Sequence, residues 1–86
     1  RIGLVQEIVP VGSELTRALD LAARICEMAP LAVQETKASS KRWIDEGFKA
    51  TVKAMGPVQS KLLASEDAKE GVASFVERRS AQFKGR

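Results

Sequence analysis

The chain has 86 residues, with 44% hydrophobic and 29% charged side chains and a formal net charge of +3. That is the composition of one small globular unit or of a piece of a larger one, and a chain this short is marginally stable unless something else supports it. One cysteine, Cys26, excludes an internal disulfide, and the absence of histidine excludes the usual hydrolase triads and ordinary zinc spacings.

Arg1 opens the chain in place of methionine, and no signal-peptide pattern follows it, so the sequence reads as a segment of a longer protein. Residues Ile2 to Val9 are rich in Ile, Val and Leu, and Pro10 and Gly12 close the run; this is the one strand candidate. A single strand has no hydrogen-bond partner of its own. The segment must therefore pair with a sheet elsewhere or lie as an extended arm against helices.

Ser13 has the chemistry of an N-cap and Glu14 suits the positive end of a helix dipole. Leu15, Ala18, Leu19, Ala22, Ile25, Cys26 and Ala29 then recur at helical spacing, which predicts an amphipathic helix from about Glu14 to Met28. Cys26 falls on its apolar face and is expected as a buried, inert thiol. Pro30 resets the chain and suits the first turn of a second helix, running to about Asp45 with Val33, Thr36, Ser40, Trp43 and Ile44 along one side. Asp45-Glu46-Gly47 reads as its stop.

Phe48, Val52, Met55, Val58 and Leu62 continue as a third helix, in which Gly56-Pro57 predicts a kink or a break into two shorter pieces. Ser65 followed by Glu66 and Asp67 is the clearest local signal, a cap with two acids in the first turn. Ala68, Val72, Phe75 and Val76 give the apolar face of a last helix ending near Arg79, and Gly71 within it calls for a close neighbour. The tail Ser80 to Arg86 is polar and reads as irregular. Residues 78–86 carry Arg78, Arg79, Lys84 and Arg86 with no acid after Glu77, a pattern of a solvated chain end or of an edge that meets phosphate.

No apolar run approaches the roughly 20 residues that span a bilayer, so no membrane partner is expected and the location reads as cytoplasmic. No glycine loop for phosphate and no metal-ligand spacing occurs. Glu66, Asp67 and Glu70 could form an acid/base pair, but their places are those of caps and solvated helix faces. The fold class is mainly α, with one N-terminal extended or strand segment and about four helices. Its parts are residues 1–12 as strand and exit loop, 13–79 as helices and 80–86 as a basic tail.

Four segments carry a resemblance. Gly3-Leu4-Val5-Gln6-Glu7-Ile8-Val9-Pro10, Ala29-Pro30-Leu31-Ala32-Val33 with Thr36-Lys37, Ser65-Glu66-Asp67-Ala68-Lys69-Glu70-Gly71, and Phe75-Val76-Glu77-Arg78-Arg79 with Phe83-Lys84-Gly85-Arg86 follow in order. Together they resemble the C-terminal end of the enoyl-CoA hydratase/isomerase (crotonase) superfamily. The resemblance implies a catalytic N-terminal domain outside these residues and a helical C-terminal region that builds trimers, commonly paired into hexamers. It transfers no catalytic residue and no metal ligand to this segment, and acyl-CoA enters as substrate rather than cofactor. It implies that Phe75 and Arg78 reach the adenine and 3′-phosphate end of coenzyme A, Arg78 standing where lysine is usual. Gly56-Pro57 departs from the uninterrupted helix of the family.

The function so implied is that of an enzyme on acyl-CoA thioesters, in the simplest case hydration of a 2-enoyl-CoA in fatty-acid or amino-acid catabolism, with the 86 residues alone inactive. The rival reading is a non-catalytic helical interaction module with weak RNA binding through the basic tail. Few basic residues and no interleaved aromatic platform argue against nucleic acid.

Overall fold

Ser13, Pro30, Gly47 and Ser65 punctuate the chain, and each stands where a helix begins or two helices meet. In a computed structural model that describes residues 3–86, these positions separate α1 (Glu14–Cys26), α2 (Pro30–Glu46), α3 (Phe48–Leu63) and α4 (Glu66–Glu77). The mainly helical class is as the sequence predicts. Arg1 and Ile2, the start of the strand candidate, lie outside the described residues. Residues 3–9 form no strand, and Leu4 and Ile8 are exposed. Among the described residues the arm meets no sheet edge, and its one side-chain tie is Glu7, whose two carboxylate oxygens accept from Arg17 Nε at 2.9 and 3.0 Å.

α1 ends two residues before the predicted Met28, for a local reason. Proline crowds the residue before it out of the helical region, and Ala29 takes φ −58°, ψ 118°. The chain tightens just upstream, where the Met28 N–H donates to the Ile25 carbonyl. Among the described residues nothing covers the apolar stripe of α1: Leu15, Leu19 and Ile25 are exposed, and so is Cys26, which corrects its expected burial.

α2 runs one residue past the predicted Asp45. Its small polar residues satisfy themselves, since Thr36 Oγ1 donates to the Ala32 carbonyl at 2.8 Å and Ser40 Oγ to that of Thr36 at 3.0 Å. Gly47, at φ 84°, is the whole connection to α3. The left-handed region is open to glycine without steric cost, which permits so short a corner. Trp43 and Phe48 meet edge to face across it, with ring centroids 5.3 Å apart. Lys61 Nζ reaches Glu35 Oε1 at 2.9 Å from the far end of α3, so α2 and α3 form an antiparallel hairpin.

α3 is continuous through Pro57, which corrects the predicted break. Two features soften the proline. Gly56 before it has no Cβ to clash with the pyrrolidine ring. Lys53, whose carbonyl loses the N–H that Pro57 lacks, is exposed together with Pro57, so water can satisfy it. α4 starts as predicted, with the Ala68 N–H donating to Ser65 Oγ at 3.0 Å.

The residues 80–86 then return antiparallel along α4. Ala81, Phe83 and Gly85 are half-buried while Gln82, Lys84 and Arg86 are exposed, the period of two of an extended strap. Phe83 supplies the neighbour that Gly71 calls for: a Cβ added at Gly71 would meet its ring at 3.7 Å. The tail is therefore irregular, as expected, but it is not a free chain end.

The strap inverts the burial of α4. Asp67 and Ser74 are buried on its small, polar face, whereas Val72, Phe75 and Val76, read from the sequence as the packed face, are exposed. No hydrophobic residue is fully buried among the described residues. The radius of gyration is 16.3 Å, against about 12 Å for a compact chain of this length.

Candidate functional site

The chemistry of the chain is concentrated where α4 ends and the strap begins. Asp67 is 3% exposed, and both carboxylate oxygens accept backbone N–H bonds, Oδ1 from Lys84 and Oδ2 from Gly85, each at 2.7 Å. Its own N–H donates to the Arg86 carbonyl at 3.0 Å. One turn on, Glu70 accepts from the Gln82 N–H at 2.7 Å and from both terminal nitrogens of Arg79. Arg79 Nε also donates to Glu77, and Arg86 Nε to Glu66 at 2.9 Å. The carboxylates of α4 thus take the place of a neighbouring strand for the strap.

These bonds decide what the acids can do. The solvated roles expected for Asp67 and Glu70 are corrected: both act as acceptors that hold residues 79–86. A carboxylate whose lone pairs face two fixed N–H groups is a poor proton shuttle. The Arg79 fork first, and the Gln82 N–H second, pull the Glu70 carboxyl from 4.5 down to about 2. Glu70 in turn holds the Arg79 guanidinium above its ordinary range. A carboxylate with a lowered folded-state pKa contributes stability that is complete above its unfolded value and is lost as pH falls through the folded value. The Glu70 clasp should therefore hold from neutral pH down to about 4.5 and weaken from there toward about 2. In an NMR titration, the Glu70 side-chain carboxyl carbon should show its midpoint near 2; a midpoint at the ordinary carboxylate value would remove the clasp.

The two residues singled out for a ligand lie beside this clasp. Phe75 is 84% exposed on the outer side of α4, so core packing within this chain does not account for it. Arg78 closes the helix at φ 54°, ψ 43°, and is the one non-glycine residue with positive φ among the described residues. Among those residues neither Arg78 nor Lys84 makes an ion pair, whereas Arg79 and Arg86 do. The four cations of the basic run are therefore two engaged and two open.

Sequence reasoning missed the strap. Its signal was present in the alternation of Ala81, Phe83 and Gly85 with Gln82, Lys84 and Arg86, and in the one-turn spacing of Asp67 and Glu70. An apolar groove of about 570 Å³ lies at the α2–α3 corner, lined by Trp43, Ile44, Phe48, Val52 and Met55 among others. No group of three or more possible metal ligands occurs among the described residues, and no described helix is long and apolar enough to cross a membrane.

Comparison with known proteins is consistent along the whole chain. The family model for enoyl-CoA hydratase/isomerase matches residues 1–86. The 2,3-dehydroadipyl-CoA hydratase of Escherichia coli strain K12 is 32% identical over 84 residues, which cover 98% of this chain and 33% of that protein. The carnitinyl-CoA dehydratase of Proteus mirabilis strain HI4320 is 37% identical over 90 residues, covering 100% and 34%. A crystal structure of a probable enoyl-CoA hydratase/isomerase from Mycobacterium abscessus superposes with a TM-score of 0.95 at 43% identity, over 100% of this chain and 34% of the other. The chain spans about a third of the length of the relatives it matches.

Proposed function

Since the chain belongs to the enoyl-CoA hydratase/isomerase family, we propose that it is the C-terminal third of an acyl-CoA enzyme whose reaction is hydration of a 2-enoyl-CoA. The observation that carries this reading is the match to the family model from the first residue to the last. Two relatives, a hydratase and a dehydratase of CoA thioesters, run the two directions of an addition of water. That chemistry needs a carboxylate pair to move protons and donors that stabilise the thioester enolate. Asp67 and Glu70 are engaged with the strap, so both requirements fall to the remainder of the polypeptide, and these 86 residues alone are inactive.

Two roles remain for the segment. One is assembly: the bare apolar stripes of α1 and α4 support burial against the rest of the enzyme and against neighbouring subunits of a trimer or hexamer. The other is the coenzyme A edge, where Arg78 pairs with a phosphate and Phe75 packs near the adenine. The open charges of Arg78 and Lys84 support it, while Arg79, neutralised by Glu70 and Glu77, adds little positive field. The same neutralisation of Arg79 and Arg86 weakens the RNA-binding alternative.

Backbone strain supports the role of Arg78. A left-handed residue at a helix end is usually glycine, and an L-side chain there costs about 1 kcal/mol. An arginine held at such a position is best explained by what its guanidinium binds. A charged hydrogen bond to phosphate contributes about 1.5–3 kcal/mol, less when exposed. Arg78→Ala and Arg78→Gly should therefore each raise the KM for CoA esters roughly tenfold, at 1.4 kcal/mol per decade, with kcat little changed. Arg78→Gly should do so while raising the melting temperature. Both variants should also lose discrimination between coenzyme A and its 3′-dephospho form. An unchanged KM and an unchanged preference would reduce Arg78 to a surface charge.

A further inference from the structure

The left-handed turn at Arg78 is a complete Schellman motif: the Arg78 N–H donates to the Phe75 carbonyl at 3.3 Å and the Arg79 N–H to that of Ser74 at 3.1 Å. Such motifs are commonly closed by an apolar contact between the residue after the turn and the helix. Here that residue is Arg79, and its partners are ionic. Its two terminal nitrogens fork onto Glu70, two turns back on α4, its Nε reaches Glu77, and Nη1 donates to the Ser80 carbonyl at 3.2 Å. Glu70 is itself anchored by the Gln82 N–H, and the strap is pinned beyond it by Asp67. Arg79 is thus tied to α4 on one side and to the strap on the other, one residue from the strained position.

We propose that Arg79 is a positioning residue: its fork onto Glu70 and Glu77 locks Arg78 in the left-handed conformation and fixes the direction in which Arg78 offers its charge to a phosphate of the acyl-CoA. The inference rests on the coenzyme A edge described above. The physical reason is population. With a β-carbon, Arg78 leaves the left-handed region more often once the Arg79 fork no longer reinforces the turn, even with the strap still pinned by Asp67, and a ligand that needs that conformation then binds in proportion to the fraction still occupying it. Lysine at position 79 keeps the charge but loses the planar fork. Glutamine at position 70 keeps an acceptor for Gln82 but loses the ion pair.

The test is a double-mutant cycle in the complete enzyme. Arg79→Lys and Glu70→Gln should each raise the KM for CoA esters about three- to fivefold with kcat held. Neither should exceed the effect of Arg78→Ala, because each acts through Arg78. In an Arg78→Ala background both should change KM by less than about 1.5-fold, the non-additivity expected of residues acting as a unit. KM is insensitive to inactive protein, so partial misfolding does not imitate this pattern, and if Glu70→Gln fails to fold, Arg79→Lys alone decides. A full effect in the Arg78→Ala background, or an unchanged KM while Arg78→Ala still raises it, overturns the positioning role. If Arg78→Ala itself leaves KM and the dephospho-CoA preference unchanged, the coenzyme A edge fails first and the positioning role fails with it.

Discussion

Diluted to micromolar concentration on its own, the 86-residue chain should either sediment as an oligomer or lose its helical circular-dichroism signal without a cooperative melt. The accessible surface is 7481 Å², whereas a folded monomer of this mass exposes about 5,000 Å², roughly 2,500 Å² less. A standard interface buries about 800 Å² on each partner, so the excess amounts to about three such faces. The residues responsible are large and apolar: Leu15, Leu19 and Ile25 on α1, Ile44, Phe48 and Met55 at the hairpin corner, and Val72, Phe75 and Val76 on α4. Isolated helices of 12 to 17 residues, the lengths found here, are marginal in water when nothing covers their apolar face. No disulfide is available to compensate. Analytical ultracentrifugation with thermal circular dichroism checks this directly, and a monomer that melts cooperatively would overturn it.

The second large effect is expected at Asp67. Its carboxylate is buried and holds two backbone N–H groups of the strap at 2.7 Å. Asp67→Ala removes both charge-assisted bonds and leaves two N–H groups without their partner. At about 1.5–3 kcal/mol per hydrogen bond to a charged group, the loss is on the order of 3 kcal/mol or more, a large fraction of a small domain's stability. The strap should come away from α4, uncovering Gly71 beneath the Phe83 ring. Hydrogen exchange of the Lys84 and Gly85 amides should accelerate at least a hundredfold, on the order of 3 kcal/mol at 1.4 kcal/mol per decade. Asp67→Asn should lie between, because one amide oxygen can accept while the amide nitrogen opposes the second N–H. Equal protection of both amides in wild type and Asp67→Ala would show that the Glu70 clasp and Phe83 packing hold the strap without the Asp67 carboxylate.

Legibility followed the range of the interaction. Ser65 and its two following acids identify the start of α4, because an N-cap bond spans three residues and needs no tertiary partner. Pro30 likewise fixes the start of α2, and keeps α1 from reaching it, through a steric rule that reaches one residue. Pro57 shows the opposite case. Its propensity predicts a kink or a break, and the break does not occur: Gly56 removes the clash and solvent exposure of Lys53 lowers the penalty on the freed carbonyl.

Periodicity also found the apolar stripes of α1 and α4 without being able to say which side of each helix this chain would cover. On α4 the strap takes the small face because Gly71 leaves room for the Phe83 ring, and the apolar face stays open. Cys26 is exposed for the same reason on α1: a stripe predicts a packed face only when a second body is present to pack on it.

The amino-acid sequence by itself determined the four helices, the capping of α4, the absence of a disulfide within these 86 residues and the family, because each depends on residues close together in the chain, on motifs in order or on a count. Only the tertiary structure decided the fate of the charges. Asp67 and Lys84 are 17 residues apart, Glu70 and Arg79 nine, and Glu66 and Arg86 20. Whether a run of cations is an open binding edge or a set of closed ion pairs depends on which carboxylates the returning strap meets, and that is set by the turn at Arg78, which reverses the chain against α4.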